Sequence, residues 1–385
     1  MQGFSDWSGK GGEALASISV TLDKTRRVAI DIRDAPPLML QPPELERTDS
    51  NSPVHAHEGR LYIFYSHYLP IGHSYRRISP GGLADFADTR PVRFLADPTP
   101  QIGKWIEATW RGRLGHLFGW YHAEQRADCP GKHLFVPSIG AAVSNDDGWH
   151  WRDLGTILAA DASQPDCTFE NGFLAGGYGD FTVLPDRAGD FLYLYFSSYV
   201  REEAAQGICI ARYPASARET PVGHVRIWHE GAWRSPLGRL PTPILAVERS
   251  WKHPDPVGFW GPAIHFNTAL DLYVMLLNRT AGGRSNLRQD GIHVSFNADI
   301  GDPEGWSPPI ELIRRGGWYP QIVGLGAGEG DTIAGRRARF FMSGLSAWEL
   351  DFREAGRTPA SSAPLDIPGS TFVQLFGRHA GGQSG

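Results

Sequence analysis

The chain has little of what marks several common classes of protein. Only 3 of its 385 residues are cysteine, Cys129, Cys167 and Cys209. They are odd in number and lack metal-ligand spacing, so buried or free thiols are the expectation. No stretch approaches the roughly 20 apolar residues of a membrane helix, and the start, MQGFSDWSGKGGEALA, lacks the apolar core of a secretory leader. We therefore expect a cytoplasmic protein without a membrane partner. Neither sign of charge dominates: 37 Lys and Arg stand against 42 Asp and Glu. A net charge of −5 gives no basic field, so no nucleic-acid partner is expected. No long segment carries the 3.6-residue spacing of an amphipathic helix, and Gly82–Asp88 offers at most one short helical turn. Walker and GxSxG motifs are absent, and the Gly-rich run 324–330 lacks dinucleotide spacing and reads as a loop.

What is present is turn chemistry, apolar strands and a recurring unit. The chain has 46 Gly, 29 Pro and a hydrophobic fraction of 41%, which suits a turn-rich β protein with a large core. Five times a polar or acidic entry leads through a turn into a strand crowded with Tyr, Phe, Leu and Val. The units begin near Asn51, Glu107, Asp180, Gly261 and Tyr319, spaced by 56 to 81 residues. Such repetition predicts an all-β fold, a five-bladed β-propeller whose blades each send a first strand to a common axis. We expect residues 1–352 to form that single propeller and 353–385 a loosely packed Pro/Gly/Ser-rich tail, with one short strand at Thr371–Phe376. Residues 1–16 read as a loose arm and Pro36–Asp49 as a Pro-rich lead-in. Between them Ile18, Val20, Leu22 and Val28, Ile30, Ile32 alternate as a hairpin able to complete the last blade. Strands 61–66, 191–196 and 272–277 are apolar on both faces and so belong between neighbouring sheets.

Aligned on their hairpin glycines Gly59, Gly115 and Gly189, the first three units place Asn51, Glu107 and Asp180 at nearly the same entry position. Asp49 lies two residues before Asn51, on the same face of an extended segment. One local motif is sharper: Ser144-Asn145-Asp146-Asp147-Gly148-Trp149-His150-Trp151 resembles the Asp-box turn of sialidase-type propellers, a structural device rather than a binding site.

With WIEATW, GGYGDFTV, FWGPAIHFNT and WYPQIVG, and above all DFTVLPDRAGDFLYLYF, the chain resembles the five-bladed propeller glycoside hydrolases of the arabinanase/β-xylosidase type across about residues 49–352. The resemblance implies a carbohydrate substrate, no organic cofactor, an acid and a base, a third carboxylate tuning the acid, and a structural calcium at the axis as an option. Two positions depart from that pattern. Asn51 stands where the family has its first-blade Asp, and Glu107 precedes Asp180 where the family has Asp before Glu.

Glycoside hydrolysis needs one protonated carboxyl near the leaving oxygen and one ionised carboxylate across the sugar. We assign Glu107 as general acid, Asp180 as base or acid-tuning carboxylate and Asp49 as alternate base, and expect inversion. Crowded carboxyls raise one another's pKa, which keeps one protonated at neutral pH. Asn51, His55, His265, Asn267, Trp260, Trp318, Tyr319 and Gln321 are the candidates for holding sugar, the aromatics by stacking on ring faces. His55 and His57 share a strand face without a third ligand at diagnostic spacing, so no catalytic metal is expected. The rival expectation is a carbohydrate-binding propeller that has lost its chemistry.

Overall fold

Strands with two apolar faces dictate the architecture. In Phe191–Ser198, Leu192, Leu194 and Phe196 pack in one core cluster with Phe118, Trp120 and Ile139. Tyr193 and Tyr195, on the other face, pack with Ile264, Tyr273 and Met275. A strand buried on both sides lies in a sheet with a sheet on either side of it. The computed structural model describes residues 14–22, 26–42, 48–67, 73–80, 82–85, 87–112, 115–161, 165–281, 289–355 and 363–376. Their strands fall into five sheets.

Each sheet is built on an antiparallel meander whose innermost strand starts the unit: Val54–His57, Gly103–Arg111, Tyr178–Pro185, Val257–Asn267 and Pro320–Gly324; short strands add in parallel at the edges of the second and fourth sheets. Core clusters fill the gaps in sequence. Tyr62 and Phe64 of the first sheet meet Ile106 and Trp151 of the second. The second meets the third, and the third the fourth, as described above. Leu272, Val274 and Leu276 of the fourth meet Phe340 and Leu350 of the fifth. Val323 and Phe341 of the fifth meet Val54 and Ile63 of the first. Five gaps closing on themselves make a ring, and the fold is a β-propeller.

Polar clasps also join the first and last units. The Ser52 amide donates to Gln321 Oε1 at 2.6 Å and Gln321 Nε2 donates to the Ser52 carbonyl at 2.7 Å. The strands Ala16–Thr21 and Arg27–Met39 add to the fifth sheet through pairing with Leu345–Glu354. That second strand runs through Pro36 and Pro37 of the lead-in, whose residues 43–47 lie outside the described ones, as do 1–13 of the expected arm.

Several local expectations are corrected. Thr371–Phe376 belongs to a helix, Gly369–Phe376, because a short apolar run has no periodicity of its own to choose strand over helix. Its Phe376 is buried, and Leu365–Ile367 pairs in parallel with Ile310–Arg315, so this part of the tail is packed against the fourth sheet. The described residues of 82–88 form turns without helix; residue 86 lies outside them. The Asp-box is a turn: Ser144 Oγ donates to Asp146 Oδ1 at 2.8 Å, Gly148 takes φ +82°, and Trp151 is fully buried. No helix among the described residues is long and apolar enough to cross a membrane.

Candidate active site

The innermost strands carry irregularities where their polar entries lie. Pairing slips around Glu107, between Ile106 and Ala108, and around Asp180, between Gly179 and Phe181. It slips again around Gly261 and Pro262, between Trp260 and Ala263. Asp180, Gly261 and Tyr319 take positive φ of 44°, 59° and 51°. A bulge leaves one residue unpaired and re-aims its side chain, and the non-glycine residues held at positive φ are strained. Here the bulges bring side chains from separate sheets together.

The result is a buried acidic cluster around one imidazole. The Phe181 amide donates to Glu107 Oε2 at 2.9 Å. Glu107 Oε1 lies 3.3 Å from His122 Nδ1, and His122 Nε2 lies 3.4 Å from Glu124 Oε1. The Tyr199 hydroxyl donates to Asp180 Oδ2, and the Tyr319 hydroxyl to Asp180 Oδ1 at 3.2 Å. Burial, opposed by His122 and reinforced by Asp180, pushes the Glu107 carboxyl up to about 7. Burial likewise raises Asp180, against the pull of His122 and the two tyrosines. Asp49 is half-buried, and no described residue hydrogen-bonds its carboxyl. Burial, then Glu124 and Asp180, push it well above the ordinary carboxylate range.

The imidazole is pulled two ways. The Asp180 amide points at Nδ1 from 3.3 Å, which suits a neutral ring. Burial also disfavours charge, yet Glu107 and Glu124 on its two nitrogens hold His122 well above its usual range. The two acidic neighbours favour the charged ring and the amide contact the neutral one. Ligand-type atoms of Glu107, His122 and Asp180 lie within 4.8 Å of one another. The set mixes one imidazole with carboxyl oxygens, whereas a calcium ion takes six to eight oxygens.

Below the cluster lies an axial cavity of about 10 Å³, room for one water. Asn51, Glu107, Thr182, His265, Gln321 and Asp331 contribute to its lining. Asn51 Oδ1, Glu107 Oε1 and His265 Nε2 are buried without a hydrogen-bond partner among the described residues.

The other expected residues divide. Asn51 reaches across the axis, its Nδ2 donating to the Phe181 and Pro262 carbonyls at 3.3 Å each. His265 is fully desolvated, which lowers its pKa to about 3 and keeps it neutral. Trp260 is buried edge-on against Trp318 and Tyr319. His55 lies farther along the axis, bonded to Thr109 Oγ1 at 3.2 Å, because its strand continues past the entry. Asn267 is a turn cap: its Oδ1 accepts from the Ala269 and Leu270 amides and its Nδ2 donates to the Gly335 carbonyl. His55 and Asn267 are thus away from the carboxyl cluster.

An aromatic cover adjoins the site. Tyr199, Trp260 and Tyr319 cluster with Trp251, Phe169, Leu174, Phe173 and Trp318. Two loops of this cover are joined by a disulfide between Cys129 and Cys167, correcting the expectation of unpaired thiols; Cys209 alone is free and buried. Cysteines 38 residues apart meet only after two loops fold over the ring.

Sequence reasoning missed His122, Glu124 and Tyr199. A signal existed for the first two: they alternate on Leu117–Arg126, polar on one face of an aromatic strand that pairs with the strand of Glu107.

No family model matches the chain, and no curated protein matches it. Solved structures similar to it include an arabinanase of Bacillus subtilis, at 13% identity over 81% of this chain and 95% of that one, with a TM-score of 0.45. A putative exo-β-1,3-galactanase of Bifidobacterium bifidum is 14% identical over 83% and 91%, with a TM-score of 0.45. The catalytic domain of an α-L-arabinofuranosidase of Coprinopsis cinerea is 11% identical over 86% and 97%, again with a TM-score of 0.45. At this distance, fold and site stand on this chain's own strands and side chains.

Proposed function

We propose that the protein is a glycoside hydrolase that cleaves a small oligosaccharide or glycoside by carboxyl acid/base chemistry, with inversion. The observation that carries this reading is the meeting of Glu107 and Asp180, from the second and third sheets, in one buried cluster, with Asp49, from the segment before the first sheet, near enough for its charge to act on both. Asp49, expected from the sequence as an alternate base, is instead the proton donor to the leaving oxygen, since burial and then Glu124 and Asp180 favour its protonated form and no described residue hydrogen-bonds its carboxyl. Glu107, with one oxygen free of hydrogen bonds among the described residues, is then the base that activates water, in place of the acid role expected from the sequence. Asp180, fastened by two phenols, tunes the pair. Metal and organic cofactor have no step in this scheme.

One feature favours a second reading, a carbohydrate-binding propeller: Asn51 fills the entry position with an amide locked to two carbonyls. A panel of glycosides separates the two. The hydrolase predicts turnover by the parent and a loss of about 10²–10⁴-fold in Asp49→Asn and Glu107→Gln, with sugar affinity retained. Sugar affinity with no turnover across the panel establishes the binding protein instead.

A further inference from the structure

We propose that His122, held between Glu107 and Glu124, is a positioning residue that orients Glu107 and sets its charge for the reaction. The inference rests on the hydrolase reading for the reaction and on geometry for the arrangement. His122 lies on the strand beside that of Glu107, opposite Trp105, whose ring centre is 5.6 Å from the imidazole. From the other side the third sheet closes in: a Cβ added to Gly179 would lie 2.7 Å from His122 Cε1. The ring therefore has little freedom to turn. Its Nδ1 faces Glu107 Oε1 at 3.3 Å and its Nε2 faces Glu124 Oε1 at 3.4 Å.

The three groups form a graded line. The side chains of Glu107 and His122 are 1% and 7% exposed, and that of Glu124 is 21% exposed, so the line begins at the axis and ends at solvent. The logic is that of an orienting acid, an imidazole and a buried reacting group. Glu124 beside Nε2 favours the charged ring, and the Nδ1 side of that ring acts on Glu107 across the 3.3 Å ion pair. Asp180 and Asp49 also act on this centre, and the phenols of Tyr199 and Tyr319 reach it through Asp180. Every one of these except His122 is neutral or negative, so His122 alone among them favours an ionised Glu107.

The test is the pH profile of kcat/KM. The parent's rising limb reports ionisation of Glu107. In His122→Gln that limb is expected to move up by at least one pH unit, a loss of tenfold or more at pH 6 that recovers toward pH 9. Glu124→Gln moves it the same way by less, and serves alone if His122→Gln does not fold. A merely structural role lowers activity equally at every pH. The same variants are followed without substrate by carbon NMR of labelled Glu carboxyls, with Glu107→Gln identifying the signal. A midpoint that rises in a parent without glycosidase activity leaves this inference standing and the hydrolase reading overturned. A midpoint and limb that stay in place overturn the inference whatever the activity.

Discussion

A carboxyl at the axis gains or loses its proton at a pH set by what surrounds it, and Glu107 shows the consequence for stability. Its pKa rises from 4.5 to about 7 on burial. Between those values the folded chain keeps a proton that the unfolded chain releases, so raising the pH favours unfolding. The contribution is full below 4.5 and lost as pH climbs through about 7. Melting temperatures from pH 4.5 to 7 should therefore fall less steeply in Glu107→Gln than in the parent. An unchanged slope would mean that Glu107 titrates in the ordinary range. The convergence of Glu107 and Asp180 was legible in the sequence because both stand shortly before a hairpin glycine, Gly115 and Gly189; Asp49 was reached only through its neighbour Asn51. His122 and Glu124 were not legible, because an HAE stretch inside an aromatic strand acquires meaning only when the neighbouring strand is registered beside it.

At the scale of elements, the bulges of the inner strands matter more than the strands' length. Without them, period-2 alternation would send Glu107 and Asp180 along the regular face of their sheets; with them, both meet at one imidazole. Gly179, at the third sheet's bulge, leaves the space that His122 occupies. A Cβ there would also stand 2.9 Å from Pro137 Cβ, so neither neighbour yields easily. Gly179→Ala is expected to cost about 1–3 kcal/mol of stability by overpacking and to lower activity by displacing His122. A variant with parental melting temperature and parental kcat/KM would contradict that tight placement. The twin-faced strands 191–196 and 272–277 were readable from sequence, since both faces are apolar. The bulges were not, as no residue type announces them.

For the whole molecule, the repeated entry-turn-strand unit disclosed the propeller, and five core clusters between consecutive sheets show how the ring closes. The cover over the site was illegible. It depends on contacts among loops, such as Asn171 Nδ2 donating to the Trp251 carbonyl at 2.6 Å, and on the pairing of Cys129 with Cys167. Such contacts have no local period. Disulfides persist mainly in oxidising compartments, which sets this bond against the expectation of a cytoplasmic protein. All of it matters for function only if sugar reaches the carboxyls. The most direct measurement is a crystal structure of Asp49→Asn with an oligosaccharide that the parent cleaves. The account predicts a glycosidic oxygen beside residue 49, with the carboxyl of Glu107 about 6.5–9.5 Å from the residue 49 side-chain head. A sugar seated away from both residues, or a separation beyond about 12 Å, too wide for one glycosidic bond and its water, would contradict it.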